Sequence, residues 1–139
     1  MTNSDSVRAH IRKTRLDIQA ANLLHNHKLY SHSIACSYYA VFHAIKAVLD
    51  AGKIDASSHG QILGAFNKNY IHTGEINSYP SQVAYDLFNK RNTLEYDPRE
   101  LIGEEGSKIG IEMSTKVVDE IISYLGSYGM SFDSDKYNI

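Results

Sequence analysis

The segment His32–Asp50 constrains the fold more than any other, because its residues are apolar on most sides of a helix. A helix of this kind leaves water only when other helices surround it, so we expect it at the centre of a helical bundle. Its most apolar part, Ile34–Leu49, is too short and too polar to span a bilayer. The whole chain holds only two prolines, and this scarcity also favours an all-α fold.

Four further helices are predicted around the central one, giving an up-down bundle of four to five helices with short connections. Capping residues, prolines and glycines mark their ends. The first helix is predicted over Ser6–His25, with Asp5 or Ser6 as its N-cap. A capping box at Ser58-His59-Gly60-Gln61 starts a helix that runs to about Gly74, and the next helix runs from Pro80 to Asp97. The last helix follows the segment Leu101–Gly110 and closes at Gly126.

The 139 residues are predicted to form one domain, residues 1–126, with a polar tail, residues 127–139, that is expected to be mobile. A chain of this length buries about two-thirds of its unfolded surface, so it can fold without a metal or a disulfide. The single cysteine, Cys36, excludes an intramolecular disulfide, and the N-terminus shows no secretory signal. We therefore expect a cytoplasmic protein with no membrane association.

Neither a metal site nor a cofactor site is indicated. No histidine follows a glutamate at the Glu-x-x-His spacing of bundle metal sites. The histidines His25, His27 and His32 are interpreted as part of a solvated turn, although such a turn could hold a transition metal. Cys36 lies among small apolar residues and is interpreted as buried rather than nucleophilic.

The charge distribution speaks against a general nucleic-acid coat protein, since the net charge is −2. One basic stripe, Arg8, Arg12 and Arg15, would suit phosphates or an acidic partner. A solvated helix face explains such a stripe more simply.

The segment Arg91-Asn92-Thr93-Leu94-Glu95-Tyr96 is the strongest candidate for a functional site. On a helix Arg91 falls among apolar residues, and a guanidinium there needs partners because it is always charged. One interpretation is an ion pair with Glu95, one turn later, while Tyr96 packs at the helix end. The alternative is that Arg91 grips a phosphate and Asn92 orients it.

The central helix carries a polar stripe, Tyr39, His43 and Lys46, on one face. The simpler interpretation makes Tyr39 and His43 satisfied core groups, with Lys46 reaching solvent. The functional alternative places His43 opposite Arg91, where it would supply an imidazole.

Three stretches, taken together, resemble the HEPN-domain family of small helical proteins. They are the helix, turn and helix start between Ala20 and Tyr38, the helix Tyr38–Leu49, and the Ser57–Gly60 helix start with Arg91-Asn92 and the helix end at Tyr96-Asp97. The resemblance covers roughly residues 8–125 in the family's order, and the helix Tyr38–Leu49 is its most specific part.

This resemblance implies a helical bundle that forms a symmetric homodimer. In active members two copies of an arginine, polar residue and histidine motif meet across the dimer and cut RNA without a metal, by attack of the ribose 2′-hydroxyl on the adjacent phosphate. Arg91 matches the arginine and Asn92 the polar residue, whereas Tyr96 stands where the histidine is expected. Tyrosine, with a pKa near 10, is a poor general base.

The resemblance is to the branch whose members often accompany a small nucleotidyltransferase in toxin–antitoxin or defence loci. It therefore predicts a homodimeric module that binds RNA or a nucleotide phosphate through Arg91, Asn92 and Tyr96 without cutting. One alternative is a metal-independent ribonuclease toxin in which His43 or Tyr96 transfers the proton. The other is an assembly protein whose Arg91 only stabilises the dimer.

Overall fold

A computed structural model describes residues 3–132, with side chains from residue 4 onward. Its five α-helices run in the order α1 (Asn3–Asn26), α2 (Tyr30–Ala51), α3 (His59–Phe66), α4 (Tyr79–Tyr96) and α5 (Glu104–Ser127). Within residues 3–132 there is no β-strand, so the predicted all-α bundle is confirmed. None of the helices in this range combines the length and apolar character needed to cross a membrane.

Helix α2 lies at the centre, as the sequence predicted. It packs along α1 and contacts α3, α4 and α5. Its apolar side chains are almost wholly removed from water, among them Ile34, Val41, Ile45, Val48 and Leu49. Burial of each such side chain contributes about 1.5–3 kcal/mol, so this helix is the main source of core stability.

The predicted helix ends are partly confirmed. Ser58 Oγ accepts a hydrogen bond from the Gln61 amide at 3.2 Å, which completes the capping box of α3. Pro80 lies in the first turn of α4 and Asp97 caps its end. The N-cap prediction for α1 is wrong, because the helix already begins at Asn3 and Ser6 instead donates a hydrogen bond to Asp50 Oδ2 at the end of α2.

Helix α3 does not run regularly to Gly74. It continues into one π-helical turn, Asn67–Ile71, which places the buried Tyr70 against the end of α2. Gly74 then adopts a positive φ of 81°, a conformation that favours glycine, and the chain turns toward α4.

Helix α5 begins at Glu104, earlier than predicted. It therefore includes Gly106 and Gly110, which the sequence assigns to the segment before the helix. At Gly110 a Cβ would lie 2.6 Å from Ile34 Cδ1, so the missing side chain lets α5 approach α2 closely. Glycine costs about 1 kcal/mol of helix propensity, and here the close packing offsets that cost.

The first residues of the predicted tail pack on the bundle. Arg8 Nη1 donates a hydrogen bond of 2.9 Å to the Ser131 carbonyl, and its guanidinium lies 5.8 Å from the Phe132 ring centre. Met130 packs against the core. The rest of that tail, residues 133–139, lies outside the described residues, and its mobility stays a prediction.

Candidate functional site

Arg91 lies among three aromatic rings at the contact between α4 and α2. Its guanidinium carbon is 5.0 Å from the ring centre of Tyr38, 5.5 Å from that of Tyr39 and 5.7 Å from that of Phe88. The side chain exposes 22% of its surface. Each cation–π contact is worth about 0.5–1 kcal/mol or more when water is excluded, so the rings hold the guanidinium in one place.

The hydrogen-bond partners of Arg91 are neutral. Nη1 donates to Tyr39 Oη at 3.0 Å and Nη2 donates to Asn92 Oδ1 at 3.1 Å. Glu95 Oε2 lies 4.0 Å from Nε, which is an ion-pair distance but too long for a hydrogen bond, and the Glu95 side chain is 56% exposed. Among the described residues, nothing accepts a hydrogen bond from the buried Nε. The charge of Arg91 is therefore only weakly compensated within the chain.

His59 is the histidine that the structure brings to this cluster. It is the first residue of α3, and its ring stacks on Phe88 with centres 3.8 Å apart. His59 Nδ1 lies 2.5 Å from Tyr38 Oη. Burial, and then the charge of Arg91, lower the pKa of His59, whereas burial raises the pKa of Tyr38 to about 12. The lowered pKa favours the uncharged imidazole, which is the form that can accept a proton.

A cavity of about 300 Å³ opens beside Arg91, between the start of α2 and the end of α4. His32, Tyr39 and Glu95 also line it, whereas His59 does not. Its volume lies at the lower end of the range for small-ligand sites, about 300–1,000 Å³. An anionic group that enters this cavity meets the guanidinium at its edge.

The four residues proposed from the sequence do not form one cluster. Arg91 and Asn92 are hydrogen-bonded to each other, whereas Tyr96 is 79% exposed. His43 faces α1, where its Nδ1 lies 3.0 Å from His10 Nδ1. The contacts described for Arg91 include neither Tyr96 nor His43.

Tyr38 and His59 were not identified as site residues from the sequence. In the sequence His59 is only part of a capping box, which indicates a helix start and gives no sign of its contact with Phe88 of α4. Tyr39 belongs to the predicted polar stripe of α2, and in the structure its hydroxyl accepts a hydrogen bond from Arg91.

The other candidate chemistries find no support in the described residues. Those residues contain no group of three or more potential ligands that could hold a metal. His25 Nδ1 instead lies 2.9 Å from Ser107 Oγ. Burial, and then Asp17, raise the pKa of the Cys36 thiol, which disfavours the reactive thiolate.

Comparison with known proteins places these features in a wider group. A family model described as "HEPN domain" matches residues 7–128. A Thermotoga maritima protein named "UPF0332 protein" is 31% identical over 99 residues, which are 71% of this chain and 74% of that protein.

Two Methanocaldococcus jannaschii proteins whose names begin "Putative toxin" are also similar. One is 29% identical over 87 residues, covering 63% of this chain and 59% of that protein, so the match spans less than two-thirds of its length. The other is 26% identical over 105 residues, covering 76% of this chain and 78% of that protein.

Proposed function

This chain belongs to the HEPN domain family, and from that membership we propose that it is a toxin-type module of a toxin–antitoxin or defence system that binds RNA or a nucleotide through a phosphate group. The observation that carries the proposal is the environment of the Arg91 side chain. Its guanidinium is fixed by three rings, is hydrogen-bonded only to neutral oxygens and borders a cavity.

A phosphate is the ligand that best completes this site. An arginine side chain that exposes 22% of its surface and whose Nε lacks an acceptor bears a desolvation cost, and the negative charge of a phosphate in the cavity beside it would offset that cost. Arginine binds phosphate through two parallel N–H groups, which a guanidinium held in one plane presents without further ordering. The Asn92 amide and the Tyr39 hydroxyl fix that plane.

The proposed assembly is a homodimer in which the two Arg91 sites meet, with a nucleotidyltransferase as the partner protein. The family resemblance supports both features, and the toxin-type names of two relatives fit a module that acts within a pair. In such a dimer the second copy would close the open side of each Arg91 cavity.

His59 favours a second candidate function, a metal-independent endoribonuclease. In that reaction His59 would donate its Nδ1 proton in a hydrogen bond to Tyr38 Oη and accept the 2′-hydroxyl proton at Nε2. The 2′-oxygen attacks the adjacent phosphorus, Arg91 stabilises the added negative charge, and the 5′-oxygen leaves with a proton from water. The lowered pKa of His59 suits the accepting role.

One experiment tests both candidates. Fluorescence anisotropy and gel analysis of a labelled single-stranded RNA, in EDTA, would compare the wild type with Arg91→Ala, Arg91→Lys and His59→Gln. Arg99→Ala is the matched control, because the Arg99 side chain is 88% exposed and does not line the Arg91 cavity. We expect Arg91→Ala to weaken binding about tenfold, Arg91→Lys to retain part of it, and Arg99→Ala to change it little.

The outcomes separate the proposals. Binding that depends on Arg91 without cleavage products supports the binding module. Cleavage that requires both Arg91 and His59 supports the endoribonuclease. RNA and nucleotide binding that is equally strong in Arg91→Ala and wild type would contradict both.

A further inference from the structure

A second cavity, of about 480 Å³, lies at the C-terminal end of α2, whereas the Arg91 cavity borders the first turns of that helix. Nothing in the proposed function uses it. Its walls include three tyrosines, Tyr70, Tyr124 and Tyr128, and one carboxylate, Glu75. We call these four residues the tyrosine cage.

The three rings of the tyrosine cage stand at steep angles to one another. The Tyr70 and Tyr124 ring centres are 6.0 Å apart with an interplanar angle of 85°, and those of Tyr124 and Tyr128 are 5.0 Å apart at 54°. All three tyrosines line the same cavity, and proteins recognise organic ammonium ions with aromatic rings grouped around one space. Tyr70 occupies its place because the π-helical turn carries it there, and π-helical turns are frequent at functional sites.

The electrostatics of the cavity favour a cation. Glu75 accepts a hydrogen bond of 2.7 Å from Tyr124 Oη, which fixes the carboxylate against the rings. Helices α2 and α5 both end at this cavity, and the C-terminal end of a helix carries partial negative charge. No lysine or arginine is among the described residues that line it.

A neighbouring surface depression extends the negative region. It shares Glu75 and Tyr124 with the tyrosine cage and adds Asp119 and Glu120. The Oε2 atom of Glu120 is buried and has no hydrogen-bond partner among the described residues. Three carboxylates therefore line the cage and the depression beside it.

The inner wall of the cavity is apolar and includes Val48, Leu125 and Met130. An aliphatic chain would bury its methylene groups there, at about 0.8 kcal/mol each. The ligand that fits both parts has a positively charged nitrogen on an aliphatic chain.

We propose that the tyrosine cage binds an alkylammonium ion, supplied either by a free polyamine or by a lysine side chain of a partner protein. The rings surround the charged nitrogen, Glu75 balances its charge, and the aliphatic chain lies on the apolar wall. Gly52 lets the Tyr70 hydroxyl lie against the end of α2, because a Cβ at that position would clash with Tyr70 Oη.

The test uses the full chain and NMR titration with n-butylammonium, with 1-butanol as the neutral match. We expect chemical-shift changes centred on Glu75 and Tyr124 with the cation and weaker binding of the alcohol. Glu75→Gln and Tyr128→Ala should each weaken binding of the cation about tenfold. Tyr128 is 67% exposed, so its replacement leaves the core packed, and thermal unfolding of each variant checks this.

Glu112→Gln and Tyr85→Ala are the matched controls, because both residues are exposed and neither lines the cavity. Separate titrations with spermidine and with acetyl-lysine methylamide assign the source, according to which binds more tightly. The proposal is overturned if 1-butanol binds as tightly as n-butylammonium, if no cation shifts the cage signals, or if the controls weaken binding as much as the cage variants.

Discussion

Arg91 combines a permanent charge with a position among three aromatic rings, and its neighbours explain why the chain tolerates it there. Two neutral oxygens accept its hydrogen bonds and the rings face its charge. Helical spacing predicts Glu95 as a partner, and its carboxylate lies 4.0 Å from Arg91 Nε, whereas Asn92 accepts a hydrogen bond at 3.1 Å. The ring residues on α2 could not be predicted as neighbours, because their contact with α4 depends on how the two helices pack.

The histidine that contacts the rings around Arg91 could not be chosen from the sequence either. A rotation of α2 by a fraction of a turn decides whether His43 faces α1 or α4, and helical periodicity alone does not fix that rotation. In the structure His43 lies against His10, and His59 takes the place beside Tyr38. An imidazole therefore contacts Tyr38 and Phe88, two of the three rings around Arg91.

The buried histidine pair predicts a loss of stability in mild acid. Burial, and then His10 and Lys13, lower the pKa of His43 from 6.5 to about 4. The unfolded chain therefore takes up this proton first as the pH falls. The contribution of uncharged His43 to the free energy of unfolding is full above pH 6.5 and is lost as the pH falls toward 4. The loss is on the order of 1–2 kcal/mol after allowance for the partial exposure of the side chain.

Urea unfolding of wild type and His43→Gln at several pH values between 7.5 and 4.5 measures this effect. The difference in unfolding free energy between the two proteins should shrink as the pH falls. His72→Gln, at an exposed histidine, serves as the control and should run parallel to wild type. A wild-type to His43→Gln difference that stays constant across this range would contradict the assignment.

Helix α5 illustrates how tertiary contacts override local propensity. Glycines at 106 and 110 indicated a loop, yet both lie within a regular helix. Gly110 faces the wholly buried Ile34 of α2, so the absence of a side chain is a packing requirement rather than a helix break. The sequence contains the glycine but not the identity of the residue opposite it.

Two alanine substitutions in α5 separate packing from propensity. Gly110→Ala should lower the unfolding free energy by about 1 kcal/mol, because overpacking against Ile34 costs about 1–3 kcal/mol and the propensity gain offsets part of it. Gly126→Ala has nothing within 4 Å of its Cβ, so it should be neutral or stabilise by up to about 1 kcal/mol. Chemical denaturation of both variants measures the contrast, and equal effects at the two positions would refute the packing explanation.

At the scale of the whole molecule, the bundle forms two separate groups of side chains. Residues of α2, α3 and α4 form the Arg91 cluster, and the tyrosine cage lies where α2 and α5 end. The cavities at these two sites lie toward opposite ends of the central helix and share no lining residue.

The proposed homodimer predicts a particle with the mass of two chains. Sedimentation equilibrium over micromolar to 100 micromolar concentrations should detect it, and Arg91→Glu should weaken it if the two Arg91 sites meet. Glu112→Lys, at an exposed position of α5, is the control for reversing a surface charge. A monomer throughout this range would exclude a site composed of two copies.

The sequence by itself determined the helical class, the central place of α2, the capping box of α3 and the ends of α4. These features depend on periodicity, capping chemistry and neighbours within one turn, all of which are local. Only the tertiary structure decided that His59 rather than His43 stands near Arg91, that Gly110 is a packing site, and that three tyrosines and Glu75 enclose one cavity. Each of those facts depends on the rotation and approach of helices that are distant in sequence, and that geometry is set by the packing of the whole core.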